Sequence, residues 1–246
     1  MKCFGLTDKG RVRKDNQDSF IIEKCEAKNC LIVGLCDGMG GAKAGGLASQ
    51  LSNKAFVDFV YGKLTSRVER VQNYKDMLQS ACDEANGVSY EYSKFDEAYN
   101  GMGTTIVGGV IKNSGKAHII NVGDSRAYLI DGQQCRQVTR DHSVVQELVE
   151  MGEIDEDQAK KHPQRNVITR SLGPDDHTEI DLFEVDVRKK HLLLCSDGLH
   201  GYFSAEELFA YISTGRSDEE TCRLLVQEAC ARGGRDNITI ILIHCA

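Results

Sequence analysis

Short apolar runs rich in β-branched residues recur along the chain, at 19–22, 31–36, 105–111, 117–122, 127–130, 192–195 and 238–243. Their length and content predict buried strands rather than helices. Asp131-Gly132, directly after the run 127–130, is a hairpin turn signal. Between residues 42 and 95 the period changes, and two long stretches read as helices. Ala44, Leu47, Ala48, Leu51 and Ala55 fall at helical spacing, and Val71, Tyr74, Leu78, Ala81, Ala85, Val88 and Tyr92 alternate steps of three and four. Ser204 with Glu207 and Ser217 with Glu220 have the spacing of capping boxes, so two further helices are expected, the second closed by Gly233-Gly234. Hairpin signals favour antiparallel sheets covered by helices over a regular alternation of parallel strands and helices. There is no linker and no internal repeat, which predicts a single domain over 1–246. The polar stretch 141–178 holds both prolines and reads as a solvated helical excursion, with a mobile flap beside a site as the sharper alternative.

Composition narrows the class. Hydrophobic residues make up 41% and charged residues 27%, ordinary for a globular protein. No apolar run approaches the roughly 18 residues of a membrane span, and the start lacks a secretory leader. With 37 acidic and 30 basic side chains the formal net charge is −7, and no Lys/Arg cluster appears. Nucleic acid and anionic membranes are therefore disfavoured as partners. The ten cysteines include no C-x-x-C. They read as reduced thiols of a cytoplasmic protein, with Cys36 and Cys195 as core fillers. The sequon Asn237-Ile238-Thr239 reads as strand sequence.

The informative pattern is where aspartates fall. Asp37 ends the run 31–36, Asp124 follows 117–122, Asp197 follows 192–195, Asp236 precedes 238–243 and Asp18 precedes 19–22. Singly, each reads as a turn or cap residue. Together, if the strand ends share one edge, they form a cluster that repels itself unless cations relieve it. Oxygen ligands without a His or Cys cluster suit Mg²⁺ or Mn²⁺, and such ions handle phosphoryl oxygens. Arg13 offers a planar fork for phosphate, with Arg11 and Arg126 as competitors. The glycines after Asp37 form no P-loop, and no Gly-x-Ser-x-Gly elbow is present.

These residues also resemble a family. The segment Thr7-Asp8-Lys9-Gly10-Arg11-Val12-Arg13-Lys14-Asp15-Asn16-Gln17-Asp18 is similar to the opening motif of the metal-dependent protein phosphatases of type 2C. Asp37-Gly38-Met39-Gly40-Gly41, Gly103-Thr104-Thr105, Asn121-Val122-Gly123-Asp124-Ser125-Arg126, Thr139-Arg140-Asp141-His142-Ser143, Ser196-Asp197-Gly198-Leu199 and Gly233-Gly234-Arg235-Asp236-Asn237-Ile238-Thr239 follow in the family's order. The likeness is greatest to the compact bacterial serine/threonine phosphatases. It implies an α+β fold, a four-layer αββα sandwich of two antiparallel sheets flanked by helix pairs. It implies two Mn²⁺ or Mg²⁺ ions, with a weaker third. Asp37 would bridge both, the Gly38 carbonyl would bind one, Asp197 and Asp236 the other, and Asp18 would act close to them. Asp124 with Asp197 would hold the third. Arg13 would bind phosphate, and residues 143–173 would be the flap. The implied reaction is in-line attack on phosphoserine or phosphothreonine by a hydroxide bridging the ions. Met39 stands where some relatives have a histidine proposed as leaving-group acid, and His142 is a candidate by residue type only. A monomer is expected, with phosphoprotein substrates and a cognate serine/threonine kinase. The alternative is a pseudophosphatase that keeps the fold as a scaffold.

Overall fold

The computed structural model describes residues 1–41, 44–68 and 71–245. The first 41 residues give strands β1 (Lys2–Asp8), β2 (Asp18–Cys25) and β3 (Cys30–Met39). Helices α1 (Ala44–Thr65) and α2 (Tyr74–Ser93) follow, then strands β4 (Gly103–Thr104), β5 (Ile106–Lys112), β6 (Lys116–Val122), β7 (Arg126–Ile130) and β8 (Cys135–Gln137). Short helices α3 (Val144–Glu150) and α4 (Glu156–Ala159) lead to β9 (Asp181–Asp186) and β10 (Lys190–Cys195). Helices α5 (Asp197–His200), α6 (Ala205–Ile212) and α7 (Asp218–Ala231) precede the last strand, β11 (Ile238–Cys245). All seven apolar runs are strands. Residues 42 and 43, where the first helical stretch was expected to open, lie outside the described residues.

Local chemistry accounts for the boundaries. Asn73 Oδ1 accepts from the Lys75 amide and starts α2 after Val71, so Val71 packs from outside the helix. The Ser204/Glu207 and Ser217/Glu220 boxes are both reciprocal, each hydroxyl accepting the N3 amide while the glutamate accepts the cap amide. Gly233 and Gly234 have positive φ and turn the chain off α7. In the β7–β8 hairpin, Asp131 Oδ1 accepts from the amides of Gln133 and Gln134. The runs gave no sign of β1, β8 and β9. β1 and β9 are half-exposed edge strands with thin apolar faces, and β8 has three residues.

The strands form two sheets, ordered β1-β11-β10-β7-β8 and β2-β3-β5-β6-β9, with β4 pairing β3. Every pairing is antiparallel. Alternation along each strand then builds the layers. Leu31, Val33 and Leu35 of β3 face Leu192, Leu194, Ile241 and Ile243 across the space between the sheets. The intervening Ile32 and Cys36 pack under Phe56, Val60, Leu78 and Ala81 of α1 and α2. On the far side, Leu193, Cys195, Ile240 and Leu242 pack under Leu208, Ile212, Leu225 and Ala229 of α6 and α7. The order is helix pair, sheet, sheet, helix pair, the αββα sandwich expected. None of the ten cysteines is in a disulfide, and Cys36 and Cys195 are fully buried. No helix among the described residues is long and apolar enough to cross a membrane.

The excursion between β8 and β9 is pinned at both ends. Ser143 bridges Ile168, and Leu172 bridges Thr104 of β4 through a reciprocal pair of backbone bonds. The excursion thus rejoins the body at β4, which pairs with β3.

Candidate metal centre at the ends of the two sheets

Asp18 opens β2 and lies directly opposite Asp37 of β3 in register. Residues so paired project to one face with Cβ atoms about 5 Å apart, close enough for like charges to repel. Asp197 follows β10 by two residues and Asp236 precedes β11 by two, and those strands are neighbours. Asp124 sits in the turn from β6, in one sheet, to β7, in the other. The ends of both sheets therefore supply the cluster.

The mutual perturbation shows how closely they gather. Asp37 is held well above the ordinary carboxylate range, by burial first and then by the charges of Asp18, Asp197, Asp124 and Asp236. Asp197 is raised likewise by burial, then by Asp124, Asp236 and Asp18. Burial pushes Asp18 and Asp124 up to about 6 each, with Asp141 adding to the shift of Asp124. Among the described residues, no three of these carboxylates bring ligand atoms within 4.8 Å of one another. Asp37 nevertheless comes within side-chain hydrogen-bonding reach of both Asp18 and Asp197.

Two buried oxygens test whether cations fit. Asp18 Oδ1 and Asp197 Oδ1 are shielded from solvent and have no hydrogen-bond partner. A buried carboxylate oxygen left unpaired is costly, and a cation relieves it. The donor set is all oxygen, the preference of hard divalent ions. The nearby His200 is committed, its Nε2 donating to the Asp124 carbonyl at 3.0 Å. Burial lowers its pKa to about 3, so it stays neutral.

The other oxygen of Asp18 is held by a chain of hydroxyls. Thr239 Oγ1 donates to Asp18 Oδ2 at 2.6 Å and Ser196 Oγ donates at 2.8 Å. Thr239 has spent its only hydrogen there, so Thr7 Oγ1 donates to Thr239 Oγ1 at 2.7 Å. Asn16 Nδ2 in turn donates to Thr7 Oγ1 at 2.9 Å. Every link points its hydrogen toward the carboxylate, which holds Asp18 below the value burial alone would set. Sequence reading missed Ser196, Thr239, Thr7 and Asn16 as a unit. Their signal was adjacency to the candidate aspartates.

Other predicted residues separate by role. Arg13 stands at the rim, half exposed, with one Nη donating to Asp236 Oδ2 at 2.6 Å. Arg126 is occupied by a bidentate pair with Asp141 and by the Tyr128 hydroxyl, and Arg11 docks through its amide on the Gly234 carbonyl. His142 is buried, its Nδ1 accepting from the Gly123 amide and its Nε2 facing Asp181 at 3.3 Å. It is a hydrogen-bonded loop residue. Asn237 is no mere strand residue. Its amide donates to the Lys9 and Asp15 carbonyls and its Oδ1 accepts from the Gln17 amide, fixing the loop that carries Arg13. A Cβ on Gly38 would lie 2.0 Å from the Gly45 carbonyl, so glycine there lets α1 sit against β3 beside Asp37. Met39 lines a groove of about 590 Å³ with Asn166, Val167, Arg170, Asp175 and His177 of the excursion.

Residues 9–226 match the family model for Protein phosphatase 2C. This chain belongs to the protein phosphatase 2C family. It is 35% identical to the serine/threonine phosphatase stp of Listeria innocua over 97% of this chain and 93% of that protein. It is 35% identical to the protein phosphatase PhpP of Streptococcus pneumoniae over 97% and 95%. Among solved structures, the serine/threonine phosphatase Stp1 of Staphylococcus aureus superposes with a TM-score of 0.92 at 34% identity, covering 100% of this chain and 95% of that one. The Mycobacterium tuberculosis serine/threonine phosphatase PstP/Ppp superposes at 0.86 and 30% identity, over 98% and 97%. Protein phosphatases of the 2C family are metal-dependent hydrolases of phosphoproteins.

Proposed function

We propose that this chain hydrolyses phosphoserine and phosphothreonine in proteins at the basin formed by Asp18, Asp37, Asp124, Asp197 and Asp236. The observation that carries the reading is the pair of buried, unpartnered oxygens, Asp18 Oδ1 and Asp197 Oδ1, in an all-oxygen cluster beside an exposed arginine. Asp37, the Gly38 carbonyl, Asp197 and Asp236 would hold two Mn²⁺ or Mg²⁺ ions, with Asp18 close by and Asp124 completing a weaker third site with Asp197. When bound, the ions acidify a water for attack on phosphorus and neutralise phosphoryl oxygen charge. The chain supplies the rest. The hydroxyl relay keeps Asp18 anionic and fixed. Asn237 sets the loop from which the Arg13 fork, with one donor on Asp236, reaches phosphate oxygens. The flap over 143–173, pinned beside β3, offers the groove at Met39 to the peptide flanking the phosphorylated residue.

No observation favours a pseudophosphatase, and each expected carboxylate is present in the chain. A monomeric cytoplasmic enzyme opposing a serine/threonine kinase fits ten cysteines free of disulfides. The test is phosphate release from a phosphothreonine peptide with Mn²⁺. We expect activity in the wild type, none with excess EDTA, and none in Asp37→Asn. Full turnover in EDTA, or an Asp37→Asn variant as active as wild type, would sink the proposal.

A further inference from the structure

At the other end of β10 and β11, away from the carboxylates, three metal-ligating side chains from three elements meet. His191 and His244 are directly opposite in the β10–β11 register, so they project to one face. It is the helix-covered face, because Leu193 and Leu242, two residues further in on the same strands, pack under α6 and α7. The helical layer begins here, with Asp218 as the first residue of α7 after its cap Ser217. One ligand atom of each residue lies within 4.8 Å of those of the other two, and no other group among the described residues does this. The imidazole centroids are 4.4 Å apart, tilted by 30°. No hydrogen bond or ion pair joins any of the three to another. They face a common space without satisfying one another.

We propose that His191, His244 and Asp218 form a second metal site, for a borderline transition ion of the Zn²⁺ class. Two imidazole nitrogens and one carboxylate oxygen are the donors that Zn²⁺ prefers over Mg²⁺ or Mn²⁺. A tetrahedral ion with bonds near 2.0–2.2 Å wants its ligand atoms about 3.4 Å apart. The gap from the present spacing closes by side-chain rotation, since His244 is exposed and the other two are half-exposed. Burial, followed by the neighbouring His244, lowers the pKa of His191, which leaves its ring neutral with a free lone pair. Lys2, opposite His244 on β1, is the competing cation. Among the described residues no cysteine Sγ joins the three ligand atoms within 4.8 Å, and the Cys222 thiol donates to the Phe4 carbonyl. Four steps of strand carry β10 from His191 to Cys195, about 13 Å at 3.3 Å per residue, and Asp197 lies beyond that end, so the two sites do not share an ion. A bound ion would clip α7 to the strands that lead to Asp197 and from Asp236.

The experiment uses the whole protein with the carboxylate basin saturated by Mg²⁺. Zn²⁺ binding is measured by equilibrium dialysis, and Co²⁺ serves as the spectroscopic probe. The wild type is expected to retain an equivalent of Zn²⁺ that the double variant His191→Gln/His244→Gln does not. It should also show visible Co²⁺ bands without thiolate charge transfer. The exposed single change His244→Gln should weaken binding by about tenfold or more. Asp218→Asn should weaken it too. Mn²⁺-dependent phosphatase turnover and the melting temperature without Zn²⁺ should be unchanged in His244→Gln, while Zn²⁺ raises the melting temperature of the wild type only. Equal Zn²⁺ retention by wild type and double variant, or Co²⁺ bands of thiolate character, would overturn the proposal.

Discussion

Thr239→Val isolates the hydroxyl relay behind Asp18. The two side chains have nearly the same shape, so the buried packing survives and one donor is lost. That donor makes a 2.6 Å bond to Asp18 Oδ2. A hydrogen bond to a charged group is worth about 1.5–3 kcal/mol, and each 1.4 kcal/mol is about tenfold in an equilibrium. Ser196 still donates at 2.8 Å, so Asp18 is weakened as a carboxylate, not abolished. Its pKa, already pushed up to about 6, rises further when a donor is removed. At pH 7 an incoming cation must then displace a proton. Proton competition at pH 7 should then increase the half-saturating Mn²⁺ concentration roughly 2- to 15-fold, with a smaller increase at pH 8.5, where the proton is largely gone. The assay is phosphate release across an Mn²⁺ titration at the two pH values. Thr239→Ser keeps the hydroxyl and should stay near wild type. Thr7→Val removes only the upstream link, a cooperative contribution of some 10–30%, and should leave the Mn²⁺ dependence within about twofold of wild type. A folded Thr239→Val protein with wild-type Mn²⁺ dependence at pH 7 would refute the relay.

Arg13→Ala should raise KM for phosphate esters with kcat much less affected, because its fork binds phosphate and its pair with Asp236 is half exposed and adds little to stability; an unchanged KM would remove it from the clamp. Gly38→Ala would drive a methyl to within 2.0 Å of the Gly45 carbonyl and 2.7 Å of the Gln17 carbonyl. Backbone cannot yield as a side-chain tip can, so a loss of about 3 kcal/mol or more is expected in a denaturant melt. The metal-free protein should lose stability as pH rises from 4 through 6: Asp18 and Asp124 hold their protons to about 6 when folded and release them near 3.8 when unfolded, so the folded state carries the excess protons in that window. Melting temperatures in EDTA should fall across it, added Mn²⁺ should restore them at the upper end, and a metal-free melting temperature flat or rising there would contradict the assignment.

Much of this was legible in the chain. Strands such as β3 and β11 are dense apolar runs, and the boxes at Ser204 and Ser217 state their helices in four residues. The aspartates were legible by position, each at the end of such a run. Their convergence was not, because it depends on which strands pair. Asp18 faces Asp37 only through the β2–β3 register, and Asp236 reaches the same edge only because β11 lies beside β10. The relay was illegible for a different reason. Thr7 and Thr239 are ordinary strand residues until 232 positions of chain bring their hydroxyls to 2.7 Å. Arg126 and Arg13 look alike in sequence. Burial beside Asp141 makes the first a strut, while the second stands exposed at the rim with one donor on Asp236.

The place of β11 has a consequence for how the enzyme comes into being on the ribosome. The last strand is inserted between β1, the first, and β10. A growing chain can assemble β2, β3, α1 and α2 early, and with them Asp18 and Asp37. The first strand must wait, one edge unpaired, until residues 238–245 emerge. Thr239, which holds Asp18, arrives with that strand, and Asp236 only just before it. A product that stops before residue 236 would lack both Asp236 and Thr239, so the basin proposed above could not assemble until β11 is in place.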